Sequence, residues 1–308
     1  MSRDLPDSNS PEQDSQSFNP YDGVEMSDLT KAKFAEPSTL YVVATPIGNL
    51  RDITLRALDI LGSVDEILAE DTRQSRTLLN AYKITTPLSA LHDHNESARI
   101  ETIIEGLTQG KSYAQISDAG TPLVSDPGFK LARAVIEAGF LVLPLPGASS
   151  VLAALVASGL PSNIFSFAGF LPSKPTARQK ALTRFKDVPG TLIFFETGKR
   201  IEKSLLDIEM VLGDRPAALA RELTKKFEET RRGTVSDLLK SVQDTPPRGE
   251  IVLILGPSDI SEIWDVAAID VALLQAIPDM GLKRASTDIA ERSGWVKRDV
   301  YQRALSLK

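Results

Sequence analysis

From Thr39 onward, short β-branched and apolar runs alternate with stretches in which apolar positions recur at helical spacing. The runs at 40–44, 67–69, 88–91, 112–117 and 141–145 have strand length. The segments 55–61, 72–82, 98–107, 129–138 and 150–157 carry the helical period. After Gly159-Leu160-Pro161 the pattern restarts, with runs at 164–168, 191–195, 217–220 and 251–255 and helical segments at 176–185, 201–212 and 235–242. A further short run lies near 229–232. Strand followed by helix, repeated, predicts parallel sheets covered by helices, because a parallel neighbour is reached only through a crossover. The chain therefore reads as α/β: two α/β/α domains with mostly parallel sheets, at 39–160 and 161–257.

The two ends differ from this middle. Residues 1–38 hold seven serines, four prolines and no apolar period, a composition that buries too little surface to offset ordering entropy, and they read as a disordered tail. Beyond Gly256-Pro257-Ser258 the pattern is helical throughout, at 266–276, 282–292 and 297–307. The last two segments flank Ser293-Gly294-Trp295, which predicts either a helix-turn-helix hairpin or a small helical cap in the region 262–308.

Composition narrows the chemistry. With no cysteine and only His92 and His94, disulfides, thiolate nucleophiles, cysteine zinc sites and three-histidine centres are excluded. Adjacent positions on an extended segment point to opposite faces, so the two histidines do not readily meet one ion, and no metal is expected. No apolar run approaches the eighteen or so residues of a membrane span, and no signal peptide is recognisable, so a cytoplasmic protein is expected. The formal charge of −6 hides an asymmetry: the first 38 residues carry eight acids against three bases, whereas the last thirty carry seven bases against four acids.

In a parallel sheet, ligands bind beyond the carboxyl ends of the strands. The loops expected there are 45–52, 70–73, 92–95, 117–128 and 144–150, rich in glycine and proline and without the G-x-G-x-x-G or Walker pattern of a phosphate cradle. Such an edge suits a folded, mostly uncharged ligand held by backbone groups. Glu70-Asp71 with Arg73 sets two carboxylates and a guanidinium at a strand end, where Asp71 is also placed to cap the next helix. In the second unit, Lys174, Lys199, Arg200, Arg221, Lys225 and Lys226 follow strands and suit a wall facing a phosphodiester backbone.

The motifs TPIGNLRD (45–52), AEDTR (69–73), LHDHN (91–95), SDAGTPLVSDPG (117–128), GFLPSK (169–174) and ARELTK (220–225) together resemble the ribosomal small-subunit RNA (cytidine-2'-O)-methyltransferases of the tetrapyrrole methylase superfamily. The resemblance spans Leu40 to about Gly256 and extends to the C-terminal helices. It implies S-adenosylmethionine held between the two units, a homodimer, and a cytidine of ribosomal RNA near the decoding site of the small ribosomal subunit as substrate. By position, the cofactor is expected at Pro46, Gly48, Asp118, Ala119, Gly120, Thr121, Pro122, Gly147, Ala148, Ser149, Phe195 and Ala220, with RNA at Arg73, Lys174, Lys199 and Arg200. Two departures stand out: Ala148 replaces the usual proline, and Phe195 and Lys199 replace a tyrosine and a histidine. A ribose hydroxyl needs a proton acceptor, and Asp71, His92, Asp93 and Glu222 are the candidates. A tetrapyrrole precursor as substrate and a non-catalytic RNA-binding module are the alternatives.

Overall fold

The computed structural model describes residues 34–257 and 264–307. The tail read at 1–38 lies outside the described residues as far as residue 33. Residues 34–38 pack on the folded body, with Ala35 buried and the Ser38 hydroxyl donating to the Leu107 carbonyl at 2.8 Å.

The first sheet contains β1 (Thr39–Val43), β2 (Glu66–Ala69), β3 (Leu88–Ala90), β4 (Tyr113–Ile116) and β5 (Leu141–Leu145), in the order β3-β2-β4-β1-β5. All of its pairs are parallel. β1 is flanked on both sides and buried along its whole length, which is why TLYVV is apolar without alternation. β5 pairs only with β1, so Pro144, which has no N–H to give, sits where an edge strand tolerates it. The strands are followed by α1 (Leu55–Ser63), α2 (Thr72–Ala81), α3 (Glu96–Thr108), α4 (Phe129–Glu137) and α5 (Ser150–Ser158). Thr54, Asp71 and Ser149 accept N–H groups of the first turns of α1, α2 and α5, so those helices start immediately beyond the sheet edge.

The second sheet contains β6 (Phe165–Phe170), β7 (Thr191–Thr197), β8 (Pro216–Arg221), β9 (Glu229–Thr234) and β10 (Glu250–Leu255), in the order β6-β7-β10-β8-β9. Its helices are α6 (Pro175–Thr183), α7 (Ile201–Leu212) and α8 (Val235–Asp244). The α/β class holds, but the expectation of mostly parallel strands applies to the first sheet alone. In the second, only β6 and β7 pair in parallel, while β10 runs antiparallel to both β7 and β8, and β9 antiparallel to β8. The loop 222–228 is too short for a parallel crossover, so β8 turns straight back into β9. The short run near 229–232 is this strand, and its charged sequence ETRRGT shows no apolar alternation because β9 is an edge strand with no fully buried position.

Leu192, Phe194, Leu205 and Leu253 fill one face of the second sheet. On its other face Ile193, Ala218 and Val252 pack against Val151, Ala154 and Leu155 of α5. That helix precedes the restart at Pro161, yet it covers the second sheet and ties the two halves together. Residues 264–307 form α9 (Val266–Met280), α10 (Leu282–Ser293) and α11 (Lys297–Ser306). The α10–α11 hairpin turns at Gly294, whose φ of 71° is left-handed, and it shares a core of Ile269, Leu273, Ile289 and Val300 with α9. Among the described residues no helix is long and apolar enough to cross a membrane.

Candidate functional site

The strand order sets β1 beside β4 and β2 on the far side of β4, so their carboxyl ends form one edge. The loops there are stitched together. Thr45 and Gly120 exchange backbone hydrogen bonds of 2.8 and 3.0 Å, and the Thr121 hydroxyl donates to the Ala148 carbonyl at 3.2 Å. The Asp71 N–H donates to Asp118 Oδ1 at 3.0 Å, joining β2 to β4. Gly120 holds a φ of 83°, which a side chain tolerates poorly, and Leu123 and Ser125 hold 70° and 68° without being glycine. Strain of this kind persists only where the surroundings enforce it, and it gathers at functional loops.

The β8–β9 loop of the second sheet faces this edge, with left-handed backbone at Glu222 and Thr224. The Asn49 N–H donates to Thr224 Oγ1 at 3.0 Å. A Cβ on Gly48 would stand 2.5 Å from Lys225 Cγ and 2.9 Å from the Leu223 carbonyl oxygen, so the seam closes only over a glycine. Between the two edges lies a cavity of about 300 Å³. Ile47, Glu70, Asp118, Ala119, Asp126 and Ser149 line it from the first unit, and Phe170, Phe195, Ala220, Glu222 and Glu250 from the second. The Phe195 ring meets Phe167 edge-on at 4.7 Å and tilts against Phe170 at 5.4 Å, giving the cavity an aromatic wall.

The opposite wall is acidic. Burial, and then the charges of Asp118, Asp126, Asp93 and Asp71, push Glu70 from 4.5 up to about 7. Burial raises Asp126 to about 6 against a hydrogen bond from Ser117, with Asp118 and Glu250 adding to the rise. Burial also raises Asp118, although the Asp71 N–H works the other way. Asp71 behaves oppositely: hydrogen bonds from the Arg73 side chain and N–H hold it below its ordinary range. Two adjacent residues thus separate into a carboxylate that resists ionisation and one that is fixed as an anion.

Of the expected cofactor residues, Asp118, Ala119, Ser149, Phe195 and Ala220 line the cavity. Pro46, Gly48, Gly120, Thr121, Pro122, Gly147 and Ala148 belong to the loops behind it; a Cβ on Gly147 would stand 2.8 Å from that of Ala44. Of the expected proton acceptors only Glu222 lines the cavity, within 3.4 Å of Lys225 Nζ. Asp71 caps α2 and pairs with Arg73 at 3.0 Å. Asp93 is exposed and acts on Glu70 through its charge, and the His92 and His94 rings meet at 6.0 Å outside the cavity lining. Among the expected RNA contacts, Arg73, Lys174 and Lys199 are exposed. Arg200 instead pairs with the buried Glu196 at 3.2 Å and donates to the Leu171 carbonyl, which commits it to the interior of the second unit. Asp126 and Glu250 were not among the expected site residues, and Glu70 was singled out only with Asp71 and Arg73 at its strand end, not as a proton acceptor. Glu70 stands directly after β2, and only the depth of the cavity distinguishes it from its neighbour. Among the described residues no group of three His, Asp or Glu side chains is arranged to hold a metal ion.

Residues 39–239 match the family model of the tetrapyrrole (corrin/porphyrin) methylases. The chain is similar to the ribosomal RNA small subunit methyltransferase I of Mesorhizobium japonicum, 48% identical over 90% of this chain and 94% of that one. It is 46% identical to the protein of the same name from Haemophilus influenzae, over 91% of this chain and 99% of that one. Among solved structures, the fold is similar to a cobalt precorrin-4 methyltransferase of cobalamin biosynthesis (TM-score 0.54, 19% identity, 71% of this chain and 95% of that one). It is also similar to a diphthine synthase (TM-score 0.55, 15% identity, 71% and 90%). At those identities the structures speak for the fold alone.

Proposed function

The chain belongs to the tetrapyrrole methylase family and, within it, to the ribosomal RNA small subunit methyltransferases I, and from that premise we propose that it methylates the 2'-hydroxyl of a cytidine in small-subunit ribosomal RNA near the decoding site. The proposed substrate is the small ribosomal subunit in the cytoplasm. It is an S-adenosylmethionine-dependent methyltransferase.

The observation that carries the reading is the composition of the cavity: an aromatic and aliphatic wall opposite the carboxylates Glu70, Asp118 and Asp126, while the cations of the lining, Arg221 and Lys225, are paired with Glu229 and Glu222. S-adenosylmethionine supplies a sulfonium-bound methyl group, and a sulfonium with an ammonium is the charge this wall is built to receive. Asp118, Ala119, Ser149, Phe195 and Ala220 are the residues that would hold it. The same acidity disfavours a tetrapyrrole precursor, whose own carboxylates would meet Glu70, Asp118, Asp126, Glu222 and Glu250.

Displacement at a methyl carbon asks the protein mainly for alignment, which is worth about 7–11 kcal/mol when complete, and the rigid loops around Gly120 and Glu222 serve that end. Removal of the hydroxyl proton falls to Glu70. It lines the cavity, and its surroundings favour the protonated form, so it accepts a proton near neutral pH. The exposed Arg73, Lys174 and Lys199, with Lys283, Arg284, Lys297 and Arg298 of the three-helix unit, lie outside the cavity and suit phosphates. A homodimer is supported by Phe129 and Ile136 on one face of α4 and by the neighbouring Leu141, exposed at 65%, 62% and 61%. The deciding experiment is transfer of a labelled methyl group from S-adenosylmethionine to small ribosomal subunits lacking the modification, with the product nucleotide mapped by mass spectrometry. Label on a cytidine ribose is the expected result, and label on a base or on no RNA would overturn the reading.

A further inference from the structure

The loop 222–228 does more than close the cavity. Glu222, Leu223 and Lys225 line the cavity, and the chain then presents Lys226 and Phe227 at the rim. Phe227 is 67% exposed, and the Lys226 ammonium stands 5.7 Å from its ring centroid. The ring forgoes burial at a loop tip that borders the cavity and carries an ammonium group beside it.

The loop is not free to fold the ring away. Glu222 and Thr224 hold φ values of 49° and 65°. The Thr224 N–H donates to Glu228 Oε2 at 2.7 Å, and the Lys225 N–H to the Glu222 carbonyl at 3.0 Å. The Asn49 N–H anchors Thr224 Oγ1 from the opposite unit at 3.0 Å. The backbone on both sides of the tip is thus pinned while the tip itself points outward.

A ring beside an ammonium group offers what a single-stranded nucleotide needs, a π-face for the base and positive charge for its phosphate. It suits a protein partner poorly. Its chain neighbours Lys226 and Glu228 are charged and exposed, and one isolated ring is far smaller than the apolar core of a specific protein interface. We propose that Phe227, with Lys226, is a stacking platform for the RNA base adjoining the methylated nucleotide. The assignment rests on the RNA-methylating reading of the cavity: a nucleotide splayed into the cavity unstacks its neighbour, and the rim ring takes that neighbour's exposed face.

The test uses the full chain and a single-stranded RNA oligonucleotide carrying 2-aminopurine beside a central cytidine. Wild-type protein should quench the 2-aminopurine on binding. Phe227→Ala and Phe227→Leu should lose the quenching and bind about tenfold more weakly, with S-adenosylmethionine affinity and melting temperature unchanged, while Phe227→Tyr retains both signals. Lys226→Ala should lower the slope of log affinity against log salt by about 0.7. Equal quenching by wild type and Phe227→Ala would overturn the platform and leave the proposed function standing. Wild-type protein that binds no such oligonucleotide would overturn the platform alone, whereas absence of methyl transfer to small ribosomal subunits would overturn both. A change of sedimentation from dimer to monomer in Phe227→Ala would overturn the platform by giving the ring to a second copy of the chain.

Discussion

The first sheet delivers four of its five parallel strands, β1, β2, β4 and β5, to the edge of the cavity, whereas the second delivers β6, β7 and β8 and takes β9 and β10 away again. The consequence is electrostatic. Parallel strands crowd their carboxyl-end loops side by side, and Glu70, Asp118 and Asp126 come together, each pushed up by burial and by neighbouring carboxylates. Antiparallel neighbours and short returns set opposite charges against each other. Arg221 meets Glu229 at 2.5 Å, Arg200 meets Glu196 at 3.2 Å and Lys225 meets Glu222 at 3.4 Å. One wall gathers carboxylates that burial and mutual repulsion hold toward the protonated form, and the other sets its charges in pairs that hold its own shape.

Two substitutions separate these roles. Glu70→Gln should lower methyl transfer by about 10²- to 10⁴-fold while cofactor affinity by calorimetry stays near that of the wild type. A parallel loss of affinity would make Glu70 a cofactor ligand instead of a proton acceptor. Glu196→Ala, on the compensated wall, should act on stability. It strands Arg200 and removes the acceptor of the Ser204 hydroxyl, a bond of 2.6 Å, so unfolding should become easier by about 3 kcal/mol, read from a denaturation midpoint. A Glu196→Ala protein with normal stability and no activity would mean that this pair belongs to the chemistry.

The difference between the walls also governs how much of the molecule is legible in its sequence. The first sheet is, because the loops after β1, β4 and β5 are marked by glycine and proline and buried parallel strands are plainly apolar. The antiparallel pairing of β9 and β10 is not: the run near 229–232 is visible, but its partner is chosen by tertiary contacts, and ETRRGT carries no strand period. The loops that border the cavity were legible as motifs. The choice between two adjacent carboxylates was not, since Glu70 and Asp71 are indistinguishable as letters. Asp71 turns outward to cap α2 and meet Arg73, leaving Glu70 to the cavity, and only the fold makes that choice. Arg200 shows the converse, a cation after a strand whose partner, Glu196, four residues earlier, is buried within the same unit.

Unbalanced charge leaves a mark on the pH dependence of stability. In the cofactor-free protein Glu70 titrates near 7 instead of 4.5, so the folded state binds its proton more tightly than the unfolded chain does. Stability contributed by that protonation is complete at low pH and is lost as pH rises from about 4.5 through about 7. Glu70→Gln removes the loss. Its melting temperature should match the wild type at pH 5 and exceed it by about 2–4 °C at pH 8, a modest figure because the group is partly exposed to solvent. A melting temperature lower than the wild type at pH 8 would show that the ionised carboxylate is stabilised in the fold.

The smallest effect converts a balanced charge into an unbalanced one. Arg73 is 89% exposed, so Arg73→Ala should leave the denaturation midpoint essentially unchanged. It also strips Asp71 of the partner that holds it as an anion, and a less shielded Asp71 lies among the charges that already raise Glu70. The acid limb of the pH profile for methyl transfer should therefore move a few tenths of a unit toward higher pH. An acid limb that stays in place would mean that the Arg73 charge does not reach the proton acceptor, and that Asp71 belongs wholly to the capping of α2.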